Sequence, residues 1–123
     1  MEHKQTIVLR KDLNMRKGKM VAQGAHASMR AILNGARREG DVLCIPLDEP
    51  WLCGRFKKIC VSVSSESELL KLHQQALDAG LITALIRDAG LTEFGGVPTY
   101  TALAIGPDED AKIDELTRDL PLL

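Results

Sequence analysis

Residues 17–27 have the sequence Lys17-Gly18-Lys19-Met20-Val21-Ala22-Gln23-Gly24-Ala25-His26-Ala27. At about 100° per residue, a helix of this sequence places Lys19, Gln23 and His26 along one stripe. The same period extends the stripe to two arginines, Arg30 and Arg37. The pattern predicts a helix of about twenty residues, 19–38, with a polar and cationic face open to solvent.

The other two sides of this helix differ from each other. An apolar stripe points nearly opposite to the cationic one and consists of Val21, Ala25, Met29, Ile32 and Ala36. A third strip has almost no side-chain bulk and consists of Gly24, Ser28, Ala31 and Gly35. Small residues let a sheet or another helix approach the backbone closely. We therefore expect partners on both of these sides of the helix.

The charge of the chain is unevenly distributed. Its 123 residues are typical of one domain, which we expect to span residues 1–123, and its net charge is −1. Residues 1–40 carry nine Lys/Arg against three Asp/Glu, whereas residues 41–123 carry seven against fourteen. This asymmetry favours a local anion-binding patch over a globally basic protein, although charges on the two segments could also pair with each other.

Cysteine usage and hydropathy indicate a cytoplasmic protein. Cys44, Cys53 and Cys60 are odd in number, and their spacing matches no zinc or redox motif, so we expect reduced thiols. The first five residues are polar and the longest apolar runs are a few residues, which predicts neither a signal peptide nor a membrane span.

The rest of the chain alternates strand and helix patterns. Strands are predicted over 5–10, 58–63, 82–86 and 99–105, and residues 40–55 are interpreted as an irregular excursion rich in Pro and Gly. Asn14 is a candidate cap for the first helix, and Ser65 with Glu68 forms a capping box for the second, which we expect to end at Gly80. The motif Gly106-Pro107-Asp108 is expected to open a last helix.

The resulting order, β-α-β-α-β-β-α, predicts an α/β fold with a four-stranded sheet that is at least partly parallel. Ligand sites in such sheets gather beyond the carboxyl ends of parallel strands. For the first and third strands these ends are residues 10–19 and 88–92, which should therefore meet at one edge. In the fourth strand, simple alternation puts Thr99, Thr101, Leu103 and Ile105 on one side.

The chemistry at this edge has competing interpretations. Gly18-Lys19 lacks the first glycine and the hydroxyl residue of a nucleotide-binding phosphate loop, so we exclude a nucleoside triphosphatase. Helix N–H groups with Lys17 and Lys19 would still seat a phosphate or an oxyanion. Taken singly, however, each lysine is typical of a solvated surface, His26 of a structural histidine, and Asp88 of a turn residue. Thr92 and Thr101 are also ordinary turn and strand residues.

Four segments together resemble a known family, the peptidyl-tRNA hydrolases of the archaeal and eukaryotic type, called type 2. Its opening motif is similar to residues 10–27, Arg10-Lys11-Asp12-Leu13-Asn14-Met15-Arg16-Lys17-Gly18-Lys19-Met20-Val21-Ala22-Gln23-Gly24-Ala25-His26-Ala27. Its later motifs are similar to Asp88-Ala89-Gly90-Leu91-Thr92, Thr99-Tyr100-Thr101 and Ile105-Gly106-Pro107. The resemblance spans nearly the whole chain. Glu93 departs from it, because the family commonly has a neutral amide there.

The resemblance implies a three-layer α/β/α fold with a four-stranded mixed sheet, a homodimer, and no metal or cofactor. The implied activity is hydrolysis of the ester that joins a peptide to the terminal ribose of tRNA, which recycles tRNA lost from stalled ribosomes. The family's functional positions fall here on Lys19, His26, Asp88, Thr92 and Thr101.

Our mechanistic hypothesis is attack of water on the ester carbonyl. Asp88, through Thr92 or His26, would orient and deprotonate the water, and Lys19 would stabilise the oxyanion or the terminal phosphate. Contacts with tRNA are expected from four side chains, Lys17, Gln23, Arg30 and Arg37.

Two other functions fit the same residues. The chain could be a non-catalytic RNA-binding or protein-interaction module on the same fold, or a hydrolase of some other small ester or amide. RNA binding without ester cleavage would indicate the module, and a lack of competition by bare tRNA would indicate the small-ester hydrolase.

Overall fold

The computed structural model describes residues 2–123; Met1, the first residue of the predicted domain 1–123, lies outside this range. Its strands are β1 (His3–Arg10), β2 (Arg37–Glu39), β3 (Val42–Cys44), β4 (Lys58–Val63), β5 (Thr83–Asp88) and β6 (Thr99–Glu109). Its α-helices are α1 (Lys17–Asn34), α2 (Glu66–Asp78) and α3 (Asp110–Thr117).

Four strands form one mixed sheet in the order β4-β1-β6-β5. Strand β1 is parallel to β4, and β6 runs antiparallel to both of its neighbours, β1 and β5. Strands β1, β4 and β5 therefore all run in the same direction. Strand β6 lies between β1 and β5 and runs in the opposite direction. The predicted α/β class and the mixed four-stranded sheet are confirmed.

Two apolar clusters fill the core, one on each face of the sheet. Ile7 and Leu9 pack with Ala27 and Ala31 of α1, whereas Val8, which lies between them in the strand, packs in the other cluster. That second cluster includes residues of α2 and α3, namely Leu69, Leu72, Ala76 and Ile113. Because successive residues of a strand face opposite ways, helices cover both faces of the sheet.

The side of α1 that meets the sheet includes two residues of the predicted small-residue strip, Gly24 and Ala31. Gly24, Ala27 and Ala31 are buried, and a Cβ atom at Gly24 would lie 3.5 Å from Ile7 Cγ2. The predicted close approach is confirmed. The expectation of a partner on the apolar stripe is not met within residues 2–123, because Val21 is 72% exposed and Met29 is 59% exposed.

Both ends of α1 differ from the prediction. The helix begins at Lys17 after Arg16, which makes no side-chain cap, while Asn14 ends a short 3-10 turn in the left-handed conformation. The helix ends at Asn34, so the expectation that it continues to residue 38 is wrong. Gly35 closes it against the ring of Pro46, and Arg37 starts strand β2 instead of extending the cationic stripe.

The interpretation of residues 40–55 as irregular is wrong in part. Strands β2 and β3 form a hairpin across Gly40, whose φ is +61°. Residues Trp51–Arg55 form a helical turn, in which the buried indole of Trp51 donates a 2.7 Å hydrogen bond from Nε1 to Lys57 O. This bond attaches the turn to the start of β4.

The second helix begins as predicted, and the third begins later. Ser65 Oγ accepts a hydrogen bond from the Glu68 N–H at 3.1 Å, which confirms the cap of α2. Strand β6 continues past Gly106-Pro107 to Glu109 because its ladder with β1 extends to the pair His3 and Glu109. The last helix therefore starts at Asp110. Within residues 2–123, no helix has the length and hydropathy needed to cross a bilayer.

Candidate active site

An ion pair joins the start of α1 to the end of β5. Lys19 Nζ lies 2.9 Å from Asp88 Oδ1, and the two side chains are only 13% and 15% exposed. Strand β5 points the same way as β1, so its last residue, Asp88, reaches the edge of the sheet at which α1 begins. The expectation that residues 10–19 and 88–92 meet at one edge is confirmed.

Three further side chains complete the polar cluster. Lys19 Nζ also donates to Thr92 Oγ1 at 2.8 Å. Gln23 Nε2 donates to Asp88 Oδ1 at 3.2 Å, and its Oε1 accepts a hydrogen bond from the Thr101 hydroxyl. Lys19, Gln23, Asp88, Thr92 and Thr101 thus form one connected network, which we call the Lys19–Asp88 cluster.

Gln23 is inside the protein. The sequence predicts Gln23 on the open cationic face with the tRNA-contacting residues. In the structure this residue is only 1% exposed. One turn after Lys19, this position on α1 faces the sheet rather than solvent, and the amide spans the distance between Asp88 and Thr101.

The turn after β5 fixes the orientation of Asp88. Its Oδ2 accepts a 2.8 Å hydrogen bond from the Gly90 N–H, which forms an Asx turn. Gly90 has φ +83°, and a Cβ atom there would lie 2.1 Å from Val97 O. Only glycine fits at this position. The Gly90 backbone packs on Val97 and also binds the Asp88 carboxylate, which fixes its orientation.

The pKa of Asp88 is lowered from its ordinary value of 3.8. The hydrogen bond from Lys19 is the main cause, and the Gly90 N–H, the charge of Lys19 and the Gln23 amide act in the same direction. Burial opposes them by disfavouring the charged form. The carboxyl group is therefore ionised at neutral pH.

A β-bulge directs Thr101 into the cluster. Ile86 pairs with Ala102 and Arg87 with Tyr100, so Thr101 is an extra residue in β6. A bulge turns neighbouring residues toward the same face. Thr101 consequently contacts Gln23 of α1, whereas Leu103 packs on the face of α2. The expectation that Thr101 shares a side with Leu103 is wrong.

Two contacts at the rim of the cluster were not predicted. The Lys19 ammonium lies 5.6 Å from the centre of the Phe94 ring, within the range of a cation–π contact. Arg16 Nε lies 3.8 Å from Glu93 Oε1 at the mouth of the cluster. No periodic pattern in the sequence marks Phe94, because it lies in the loop between β5 and β6.

His26 and Arg30 lie apart from the cluster. Both are exposed, and both line a groove of about 570 Å³ between α1 and β5. The hydrogen-bond partners of Asp88 are Lys19, Gln23 and Gly90, and His26 is not among them. His26 and Arg30 lie on the side of α1 that faces β5, two and three turns of helix beyond Lys19.

Lys17 and Arg37 lie elsewhere. Lys17 is exposed on the other side of α1, at the end of an apolar groove. Arg37, in the β2–β3 hairpin, pairs with Glu39 through a 2.7 Å contact. The four side chains expected to contact tRNA therefore do not form one continuous row.

The side chains that could bind a metal ion are dispersed over the described residues. Among residues 2–123, no group of three or more His, Cys, Asp or Glu side chains is arranged to hold a metal ion. The described chain includes all three cysteines, Cys44, Cys53 and Cys60, and each is a free thiol.

Hydrolytic enzymes use a carboxylate to activate water and an ammonium group to stabilise the developing oxyanion, and this sheet edge holds both groups beside a hydroxyl. Comparison with known proteins agrees with this class. The family model described as Peptidyl-tRNA hydrolase PTH2 matches residues 3–123.

Relatives named Peptidyl-tRNA hydrolase cover nearly the whole chain. The one from Methanocaldococcus jannaschii is 44% identical over 98% of this chain and 99% of its own length. The one from Methanopyrus kandleri is 46% identical over 98% of each chain, and the one from Staphylothermus marinus is 43% identical over 99% and 96%. The chain belongs to the type 2 peptidyl-tRNA hydrolase family.

Proposed function

We propose that this chain hydrolyses the ester bond of peptidyl-tRNA and releases the peptide and free tRNA. The observation that carries the proposal is the contact of Lys19 with both Asp88 and Thr92 at the edge of the sheet. Ester hydrolysis needs a group to activate water and a donor for the charge that develops on the carbonyl oxygen. The Lys19–Asp88 cluster supplies both.

In the proposed reaction, Asp88 orients a water molecule and accepts its proton as the water oxygen bonds to the ester carbonyl carbon. Lys19 stabilises the resulting oxyanion or the adjacent terminal phosphate. When the tetrahedral intermediate collapses, the bond to the ribose oxygen breaks and this oxygen takes up the proton. Thr92 holds the Lys19 ammonium beside the carboxylate.

Gln23 and Thr101 are positioning residues in this scheme. Thr101 orients the Gln23 amide, whose Nε2 then donates to Asp88. Both side chains are buried, so they act through the carboxylate rather than on the substrate.

We assign His26 and Arg30 to substrate contact from the neighbouring turns of α1. Lys17, at the helix start, and Arg37, in the hairpin, would contact more distant phosphates of the tRNA. Such contacts position the nucleic acid without reading its bases. The support is the exposure of all four side chains and the excess of basic residues in the first forty positions.

The reaction is proposed to need no metal or cofactor. The Asp88 oxygens already accept hydrogen bonds from Lys19, Gln23 and the Gly90 N–H, so protein donors satisfy the carboxylate. We further propose that residues 1–123 act as a single cytoplasmic domain. Free thiols and a substrate made during translation support the location.

We propose that the protein acts as a homodimer joined through the exposed apolar side of α1. Val21 and Met29 border a groove of about 920 Å³, lined also by Trp51, Phe56 and other apolar residues. Large contiguous apolar surfaces mark interaction sites. A second copy presents the same apolar stripe, so a two-fold contact covers both stripes at once.

The test is hydrolysis of purified peptidyl-tRNA by the whole chain, with and without a chelator. Release of peptide at the same rate in both arms supports the activity and its metal independence. Binding of peptidyl-tRNA without cleavage would contradict the proposal and indicate a binding module. Cleavage of small esters that bare tRNA does not inhibit would indicate a different hydrolase.

A further inference from the structure

Strand β5 is an edge strand that leads to the catalytic carboxylate. It pairs with β6 on one side, and no other strand in residues 2–123 pairs with its second side. Its last residue is Asp88. An open strand edge presents unpaired N–H and C=O groups that can bind another extended chain.

Two hydrogen bonds show which backbone groups face outward. Ile82 O accepts from the Gly106 N–H at 2.7 Å, so the backbone of residue 82 points toward β6. Thr83 O accepts from Asn34 Nδ2 at 3.4 Å, so it points the other way, toward the end of α1. Backbone direction alternates along a strand. Leu85 and Arg87 therefore direct their N–H and C=O groups to the open side.

The open edge faces the groove between α1 and β5. Its apolar lining includes Leu33, Leu85 and Ile86, and its polar lining includes His26, Arg30 and Arg87. A volume of about 570 Å³ is in the range of sites that bind small molecules and short peptides. One wall is thus the helix and the other is an unpaired strand.

We propose that the peptide part of the substrate binds in this groove as an extended strand parallel to β5; this inference rests on the proposed peptidyl-tRNA hydrolysis. In a parallel arrangement, the carboxyl end of the peptide lies beside Asp88, which is where the ester must be. The outward groups of Leu85 and Arg87 pair with its main chain. Main-chain pairing binds peptides of any sequence, and alternate side chains meet the groove walls.

The groove favours a peptide over nucleic acid or a second copy of the chain. An RNA backbone has no N–H groups to pair with the carbonyls of Leu85 and Arg87. Leu33 and Ile86 offer apolar contacts suited to peptide side chains. A second copy added at β5 would cover the groove that leads to Asp88.

The test uses the unmodified protein and peptidyl-tRNAs in which one peptide bond at a time is N-methylated. In a strand, only every second residue directs its N–H and C=O toward the neighbour. We expect kcat/KM to fall about fivefold, the effect of one lost hydrogen bond, when the methylated nitrogen belongs to residues that face β5. Methylation of the residues between them should change kcat/KM little.

A protein variant provides a second measurement. Leu85→Pro removes the outward N–H, and an edge strand tolerates proline at such a position. Its matched control is Leu85→Ala, which loses the same packing but keeps the donor. We expect Leu85→Pro to lower kcat/KM about fivefold relative to Leu85→Ala, with circular dichroism confirming that both fold.

The outcomes separate the inference from the proposed function. Hydrolysis of every methylated substrate at the same rate would leave the proposed activity intact and overturn the strand pairing, and so would equal rates for the two Leu85 variants. If all the methylated substrates are hydrolysed at the same rate but Arg30→Ala raises KM, RNA rather than the peptide occupies the groove. Failure to cleave the unmethylated substrate would overturn both proposals.

Discussion

Lys19 and Asp88 are 69 positions apart in the chain, yet the ammonium nitrogen and the carboxylate oxygen are 2.9 Å from each other and mostly shielded from water. The Gln23 amide donates to the same oxygen. The pair is therefore formed before substrate binds. In the proposed reaction, the carbonyl oxygen of the ester attracts the ammonium as its charge develops, and the carboxylate becomes free to take a proton.

Removing either partner of this pair should reduce turnover. We expect Lys19→Ala and Asp88→Ala to lower kcat about 10²- to 10³-fold, as loss of one oxyanion donor does in other hydrolases. Because the two groups act together, the double variant should be little worse than either single one. The measurement is single-turnover cleavage of peptidyl-tRNA.

Lys17→Ala is the matched control, because Lys17 is an exposed lysine on the same helical turn but outside the cluster. It should raise KM only modestly and leave kcat unchanged. Near-normal kcat in both Lys19→Ala and Asp88→Ala would remove the assigned chemistry.

The depressed pKa of Asp88 makes the contribution of the pair to stability depend on pH. A carboxyl group with a lowered folded-state pKa stabilises the protein fully above its unfolded value, and this stabilisation is lost as pH falls through the folded value. Lys19→Met removes the main cause of the lowering. We expect the unmodified protein to be more stable than Lys19→Met at pH 7, and this difference to decrease below about pH 3.8.

Urea denaturation across pH 2.5–7, a range set around the ordinary carboxyl pKa of about 4, measures this difference. Lys71→Met is the control, because Lys71 is exposed on α2 and outside the cluster. A difference between the unmodified protein and Lys19→Met that does not change with pH would contradict the assigned ion pair.

Thr101 should act on catalysis through Gln23. Thr101→Val keeps the shape of the side chain but leaves the buried Gln23 Oε1 without its donor, which costs about 1–3 kcal/mol of stability. We expect kcat to fall about tenfold with KM nearly unchanged, because the misoriented amide no longer holds Asp88. Thr101→Ser retains the hydroxyl and should restore kcat. A variant that loses stability but keeps full kcat would reduce Thr101 to a structural residue.

The sequence predicts the parts of the site that follow regular periods. Helical spacing puts Lys19 at the start of α1, and the order of strands brings Asp88 to the same edge. Hydrogen-bond partners were harder to predict. The spacing places Lys19, Gln23 and His26 on one stripe of the helix, but the roughly 60° between Gln23 and His26 is enough to bury Gln23 and leave His26 exposed.

Thr101 shows the second limit of sequence patterns. Alternation assumes an uninterrupted ladder, and a single inserted residue reverses the face of the side chain. Beside the bulge, Arg10 donates a hydrogen bond to the Tyr100 carbonyl, a contact between distant parts of the chain that no local pattern records. Likewise, the helix ends at Asn34 rather than near residue 38, and the next residue, Gly35, lies beside Pro46, a proximity that no local pattern records.

Glu93 should weaken RNA binding at the mouth of the cluster. Its carboxylate lies near Arg16 and close in sequence to Thr92, where the substrate phosphate is proposed to pass. Glu93→Gln removes a negative charge with little change in shape. We expect kcat/KM to rise a few-fold at low ionic strength and the gain to disappear near 0.5 M salt, where exposed charges are screened. Asp119→Gln, a charge change at the far end of the chain, is the control, and an equal gain in that variant would assign the effect to net charge alone.

The apolar stripe of α1 should determine the oligomeric state. Met29 is 59% exposed and borders the large apolar groove, so a charge there would be buried without a partner in a dimer. We expect the unmodified protein to sediment as a dimer and Met29→Glu as a monomer at micromolar concentration, with the monomer retaining its circular dichroism spectrum.

Leu91→Glu is the matched control, since Leu91 is 84% exposed but lies outside this groove, and it should remain dimeric. A monomeric unmodified protein would overturn the proposed homodimer, and a dimer that survives Met29→Glu would place the two-fold contact elsewhere. Because Met29 also lines the groove between α1 and β5, Met29→Glu reports on the oligomeric state rather than on turnover.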